Sequence, residues 1–214
     1  MTRTNMHVLC FGASITAGWS SYGRHYYPYA TRLSARLADS LPTSHFSISV
    51  DGSPGDTVLH GKYIPRITKA VSDNPRVHYD WVIIQAGGND LGWNRTPEQI
   101  FQALKRVWSI ALLSGAKVLA LTVTEHAGAS AKNMARLKAL NELISSHQED
   151  GFFTADIAKA IPYTEMPEEE RKEIWDDGVH LTKVGYERMG DAIADRLIEM
   201  TKTLAKMLQG RMKL

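Results

Sequence analysis

The apolar residues of this chain fall into two patterns, short continuous runs and longer segments with helical spacing. Five short runs are predicted as strands, at 7–11, 46–50, 81–85, 117–123 and 152–157. Three of them are almost entirely apolar, which is typical of strands covered on both faces. The pattern therefore predicts a sheet that is buried between two layers.

The clearest helical segment follows the third predicted strand. Thr96 is placed to cap it, Pro97 suits its first turn, and Gln99 completes a capping box with Thr96. The spacing of the apolar residues predicts one buried stripe, and Gly115 is expected to end the helix. The residues of this stripe are Ile100, Leu104, Val107, Trp108 and Ala111.

Other helices are predicted between the remaining strands. One begins after Pro28 within the segment 22–41, one covers about 131–147, and the last begins after Thr182. The segment 57–71 is ambiguous, because Pro65 is expected to break or kink a helix there.

Strands and helices thus alternate along the whole chain, which predicts a parallel sheet wrapped by helices in a three-layer α/β domain. The length of 214 residues and the absence of a repeat or linker favour one domain over 1–214. The segment 201–214 carries four basic residues and no acidic one, and is expected to be a fraying, solvated tail.

Composition narrows the classes of function. With 43% apolar residues the chain can bury a large core, and 25 basic against 23 acidic residues argue against a nucleic-acid binder. The single cysteine, Cys10, excludes an internal disulfide and a thiolate zinc site. The sequence has no signal-peptide pattern and no apolar run of the ~18 residues that a membrane span requires, so we expect a cytoplasmic protein. The oligomeric state is left open.

Candidate chemistry follows the predicted strands, where active residues of parallel sheets collect. Ser14 follows the first strand, Gly55 the second and Asn89 the third, and Asp177 and His180 lie beyond the fifth. Each has an ordinary alternative interpretation: a helix cap, a turn glycine, a tight turn, and a local hydrogen bond at a helix start. Their joint occurrence, in this order and at one edge of the sheet, indicates a site.

These residues lie in four blocks, FGASIT, GSPGDT, GGND and DGVHLT, and with them the sequence resembles the SGNH (GDSL-type) hydrolase superfamily. The resemblance extends from Phe11 to the last helix. It implies a flavodoxin-like fold with five parallel strands. Position 13 departs from the family pattern, because Ala13 stands where the family usually has Asp.

The resemblance also implies a mechanism. Ser14 would be the nucleophile, His180 its general base, and Asp177, rather than the adjacent Asp176, the carboxylate that orients His180. The backbone N–H groups of Ser14 and Gly55 and the amide of Asn89 would form an oxyanion hole. No metal or organic cofactor is required, and the implied partner is a small-molecule ester.

Several alternatives stay open at this stage. Short-chain or acetyl esters are the favoured substrates, with lysophospholipase- or thioesterase-like activity as the alternative. A non-catalytic binding module, with Ala13 marking decay of the site, is the competing hypothesis from another class. His126 either lines the site or is an ordinary loop histidine. The charged segment 165–173 is interpreted as a solvated helix or loop, or as a lid. Aromatic residues near the predicted site are candidates for a pocket wall: Trp19, Tyr22, Tyr26, Tyr27, Tyr63, Trp93 and Trp175.

Overall fold

The computed structural model describes residues 4–72 and 78–211, and its centre is a parallel β-sheet. The strands are β1 (Thr4–Gly12), β2 (Trp19–Ser20), β3 (His25–Tyr26), β4 (Ser44–Gly52), β5 (Trp81–Gln85), β6 (Lys117–Leu121) and β7 (Phe152–Ala155). The helices are α1 (Ser14–Ala17), α2 (Tyr29–Ser40), α3 (Tyr63–Ser72), α4 (Gly88–Gly92), α5 (Pro97–Leu113), α6 (Ala131–Ser146), α7 (Ile157–Ala160), α8 (Glu168–Ile174) and α9 (Lys183–Arg211).

The large sheet has five strands in the order β4-β1-β5-β6-β7, and every neighbouring pair is parallel. Counted without the short β2–β3 ribbon, this is the order 2-1-3-4-5 of flavodoxin-like folds. The predicted fold class is therefore confirmed. In this topology the strand order reverses between β1 and β5, so a crevice opens at their carboxyl ends.

The observed strands agree with the predicted ones at their centres and differ at their ends. β1 and β4 are longer, because they pair over nine positions from Thr4 opposite Ser44 to Gly12 opposite Gly52. β7 is shorter and ends at Ala155, since the next residue, Asp156, accepts a hydrogen bond from the Lys159 N–H and caps α7.

Two apolar clusters cover the two faces of the sheet. On one face, Cys10 and Ile83 pack among side chains of α2 and α9, and on the other Phe11 and Ile84 pack among side chains of α3 and α5. Alternate residues of β1 and β5 thus point into different clusters, as the pleat of a strand requires. Both faces are covered, which explains the continuous apolar runs in the sequence.

The capping signals in the sequence predicted α5 accurately. The Thr96 hydroxyl accepts the N–H of Gln99, the Gln99 side chain accepts the N–H of Thr96, and the helix ends just before Gly115 at φ 89°. The expectation that Pro65 would break a helix was wrong. Pro65 is the third residue of α3, within the first turn, where a missing N–H removes no helical hydrogen bond.

The chain's last helix is longer than expected. The predicted fraying tail 201–214 is helical through Arg211, and residues 212–214 lie outside the described residues. The apolar stripe of α9 explains the difference, because Met200 is buried and Leu204 packs against the same cluster. Within residues 4–72 and 78–211, no helix combines the length and the apolar character needed to cross a membrane.

Candidate active site

The turn between β1 and α1 presents the first candidate residue, Ser14. Ser14 begins α1 and is buried, with its hydroxyl at the carboxyl edge of the sheet. Gly12 lets the chain turn there, since a Cβ at this position would lie 2.1 Å from Thr16 Oγ1 and 2.8 Å from the carbonyl oxygen of Gln85. The backbone at Gly12 therefore packs directly against Thr16 and β5, next to Ser14.

The loop between α8 and α9 brings two more candidates to this serine. His180 Nε2 lies 2.9 Å from Ser14 Oγ, and His180 Nδ1 lies 2.8 Å from Asp177 Oδ2. Since a carboxylate can only accept, Nδ1 carries the proton and Nε2 is left to accept from the Ser14 hydroxyl. Residues 166 positions apart thus form one hydrogen-bonded chain.

Backbone contacts fix the carboxylate of that chain. Asp177 Oδ1 accepts the N–H groups of Val179 at 3.0 Å and His180 at 2.7 Å. Burial alone would raise the pKa of Asp177, but the hydrogen bonds from the His180 ring and these N–H groups outweigh it and lower the pKa below its usual value. Asp177 therefore stays ionised to lower pH than an ordinary Asp. Its stabilising contribution is lost only as the pH falls through the lowered pKa.

The neighbouring carboxylate, Asp176, points elsewhere. Its Oδ2 accepts hydrogen bonds from the Ser20 hydroxyl at 3.2 Å and from the Ser21 N–H at 2.5 Å. Asp176 thereby ties the β2–β3 segment to the loop that carries His180. The ring of Trp19, in the same segment, lies 6.0 Å from the His180 ring.

The other two candidates lie in neighbouring loops. Asn89, in α4, borders the same cavity as Ser14, and its Nδ2 donates to the backbone oxygen of Asp56 at 2.8 Å. This bond uses one of the two amide hydrogens and leaves the other available. Gly55 immediately precedes Asp56 and is exposed at φ 78°, but it is not among the residues that line the cavity.

Asp90 is a buried carboxylate whose contacts motif reasoning did not predict. It accepts the N–H groups of Val58 at 3.0 Å and Leu59 at 3.1 Å. Burial raises its pKa, although these hydrogen bonds act in the opposite direction. Asp90 thus fixes the loop after β4 beside Asn89. Its position in the GGND block was the only feature of the sequence that pointed to this role.

A cavity of about 350 Å³ opens at Ser14. His126 belongs to its wall, which decides between the two interpretations of this histidine. Of the candidate aromatics, Tyr63 lines the cavity as a buried residue, whereas Trp93 and Tyr22 are largely exposed. The wall contains Ala13, Ser14, Ile15, Asp56, Tyr63, Gln85, Ala86, Gly87, Gly88, Asn89, Leu91, Gly92, Val123, Thr124, Glu125, His126, Asn133, Arg136, Leu137 and Val179.

Comparison with known protein families identifies this arrangement. The family described as GDSL-like Lipase/Acylhydrolase matches residues 10–188, which include all the candidate residues. The chain belongs to this family. The predicted membership is confirmed, and the protein is a carboxylic ester hydrolase.

Solved structures of a G-D-S-L family protein, a lipase/acylhydrolase and a carbohydrate esterase have the same fold. A lipolytic protein of the G-D-S-L family from Veillonella parvula is 18% identical, with 89% of this chain and 97% of that chain covered and a TM-score of 0.72. A lipase/acylhydrolase from Enterococcus faecalis is 23% identical, with 91% and 96% covered and a TM-score of 0.68. A carbohydrate esterase family 3 protein from Talaromyces cellulolyticus is 16% identical, with 92% and 99% covered and a TM-score of 0.69. No curated protein matches the sequence.

This GDSL-family chain orders its nucleophile turn without an acid at position 13. Arg66, in α3, reaches the turn instead, and its guanidinium donates to the carbonyl oxygen of Gly12 at 3.2 Å. The same guanidinium donates to Asp51 Oδ1 at 2.6 Å and to Asp56 Oδ2 at 2.7 Å. Arg66 therefore connects the ends of β1 and β4 to the loop whose backbone holds Asn89.

We expect Arg66→Met to destabilise this GDSL-family protein by about 3 kcal/mol, because it leaves two partly buried carboxylates without their counter-charge. Activity should fall as well, since the turn before Ser14 loses a donor. Urea unfolding and ester kinetics measure the two effects. Arg32→Met is the matched control, because Arg32 pairs with Asp191 at the surface and its loss should change little. Equal destabilisation by both variants would contradict this role of Arg66.

Proposed function

We propose that this protein hydrolyses short-chain carboxylic esters, acetyl esters above all, through a covalent acyl-enzyme on Ser14. The observation that carries the proposal is the hydrogen-bonded chain from Ser14 Oγ through His180 to Asp177, with links of 2.9 and 2.8 Å. A serine hydroxyl is a weak nucleophile until a base removes its proton, and a neutral imidazole held in this tautomer is suited to do so.

In the acylation step, Ser14 Oγ attacks the ester carbonyl carbon while its proton passes to His180 Nε2. The tetrahedral intermediate then collapses, the C–O bond to the alcohol breaks, and His180 gives the proton to the departing oxygen. In deacylation, water attacks the acyl carbon, His180 takes its proton, and the acid leaves as the proton returns to Ser14 Oγ. Asp177 stabilises the imidazolium in both halves of the reaction.

The oxyanion of the tetrahedral intermediate needs hydrogen-bond donors already in place. We assign this role to the N–H of Ser14 and the free amide hydrogen of Asn89, which border the cavity, and, from the resemblance to the family alone, to the N–H of Gly55. The bond from Asn89 to the Asp56 oxygen holds the amide in a fixed orientation. One such donor typically contributes ~3–4 kcal/mol to transition-state stabilisation.

The size of the cavity supports a small substrate. Its volume of about 350 Å³ lies near the lower end of the ~300–1,000 Å³ of small-molecule sites. Leu137 and Val123, which are both buried, form part of its wall. These dimensions favour short acyl groups over a long chain of the lysophospholipase type.

A series of p-nitrophenyl esters from acetate to palmitate tests the proposed specificity. We expect kcat/KM to be highest between acetate and butyrate and to fall as the acyl chain lengthens. The Ser14→Ala protein provides the background for each ester. An optimum at palmitate would contradict the short-chain assignment and favour a lysophospholipase-like activity.

A further inference from the structure

The wall of the cavity beside Ser14 includes a cation for which the described residues provide no acidic partner. Arg136, on the second turn of α6, belongs to its wall and is partly buried. Its Nη1 contacts the Leu91 carbonyl oxygen and Asn94 Oδ1, each at 3.3 Å, and Asn133 Oδ1 at 3.4 Å. Its Nη2 donates to the carbonyl oxygen of Arg95. All four acceptors are neutral, so they hold the guanidinium in place without balancing its charge.

Several other partly buried arginines, though not all of them, have an acidic partner in the described residues. Arg66 lies within 4 Å of two carboxylates, and Arg188 and Arg196 each pair with a glutamate. Across residues 4–72 and 78–211, no carboxylate comes within 4.0 Å of the Arg136 guanidinium nitrogens. Removing a charge from water is costly unless an opposite charge compensates it. A ligand that displaces water from Arg136 would therefore have to compensate its charge.

The carboxylates in the cavity wall do not contact Arg136. Asp56 is paired with Arg66 at 2.7 Å. Glu125 accepts the backbone N–H groups of residues 163 and 164 at 2.9 and 2.7 Å. Both acids bind other donors, so a counter-ion in direct contact with Arg136 would have to come from a ligand.

The geometry of Arg136 suits a carboxylate in particular. A guanidinium has five N–H donors, and the four contacts of Arg136 involve only Nη1 and Nη2. The Nε–H and one Nη2–H remain, and a guanidinium that offers two donors can bind the two oxygens of a carboxylate. Gln85 and Thr124 add polar side chains to the same wall, and both are buried.

We propose that the substrate of this site is a small ester that carries a free carboxylate, bound by Arg136 while the ester carbonyl lies at Ser14. This inference rests on the proposed ester hydrolysis and names its substrate class. A neutral substrate would leave the cation uncompensated when it displaces water from the cavity. An anionic substrate supplies the missing charge and is oriented by it.

Two pairs of esters, each differing in one charge, test this inference. In the first pair, 4-acetoxybenzoate carries the charge in its alcohol part, and its methyl ester is neutral. In the second pair, monomethyl glutarate carries the charge in its acyl part, and methyl pentanoate is neutral. Kinetics are measured for the wild type, Arg136→Gln and Lys132→Gln. Lys132→Gln is the matched control, because this substitution removes the same charge from an exposed position on the same helix.

In at least one pair, we expect the ratio of kcat/KM for the anionic ester to that for the neutral ester to fall at least tenfold in Arg136→Gln. The ratio should stay within about twofold in Lys132→Gln. Comparing ratios between variants removes the difference in intrinsic reactivity between esters. The comparison also separates substrate binding from the contacts that Arg136 makes with residues 91–95. Loss of those contacts would lower kcat/KM for both esters of a pair equally.

The two proposals fail in different ways. If the wild type hydrolyses the neutral esters but Arg136→Gln leaves both ratios unchanged, the carboxylate inference is overturned and the proposed hydrolysis stands. If the folded wild type hydrolyses none of the four esters and no p-nitrophenyl ester, the proposed function is overturned together with the inference.

Discussion

Ser14→Ala should lower kcat for ester hydrolysis by roughly 10⁵- to 10⁶-fold, the effect expected when a triad nucleophile is removed. The hydroxyl lies 2.9 Å from His180 Nε2, and no other nucleophile is in hydrogen-bond contact with this nitrogen in the described residues. The fold should persist, since the change removes one hydrogen bond, worth about 1 kcal/mol. Steady-state kinetics and thermal melting measure the two quantities.

Ser20→Ala is the matched control for this variant. Ser20 is also buried near the site, but its hydroxyl donates to Asp176 rather than to His180. Its loss should change kcat less than tenfold. If Ser14→Ala, free of wild-type protein, kept more than a hundredth of the activity, Ser14 would not be the nucleophile.

The second large effect separates the two adjacent acids. Asp177→Asn should lower kcat by up to ~10⁴-fold, because an amide no longer selects the tautomer in which Nδ1 of His180 carries the proton. Asp176→Asn should lower kcat less than tenfold, which corresponds to ~1.4 kcal/mol, since its amide oxygen can still accept from Ser20 and Ser21. Kinetics of both variants on one ester make the comparison. If kcat fell further in Asp176→Asn than in Asp177→Asn, Asp176 would be the residue that orients His180.

The fold was readable from the sequence because both faces of the sheet are covered. A strand such as β5, buried along its whole length, is an almost continuous apolar run whatever its neighbours are. Helix caps are equally local, which is why Thr96 and Gln99 predicted the start of α5. Tertiary packing determines the ends of β6 and β7 and the length of α9. The sequence pattern did not predict these boundaries correctly.

The residues of the candidate site likewise fall into two groups, those that a local sequence pattern predicted and those that it did not. Ser14, Asn89, Asp177 and His180 lie in short sequence blocks, after β1, after β5 and between α8 and α9, and the topology brings them together. Arg66 has no such signal, because it follows Pro65 in an ambiguous segment and acts through Gly12, 54 positions away. The environment of Arg136 is likewise set by backbone oxygens at positions 91 and 95, which no side-chain pattern encodes. The cytoplasmic location and the roles of the site residues remain predictions.

Covalent labelling with a fluorophosphonate probe tests the central claim most directly, because the probe reacts with a serine only when a base has activated it. Intact mass should show one adduct per chain, and peptide mapping should place it on Ser14. Labelling should disappear in Ser14→Ala and persist in Ser20→Ala. An adduct on another residue, or none on folded wild-type protein, would contradict the claim that His180 and Asp177 activate Ser14 as a nucleophile.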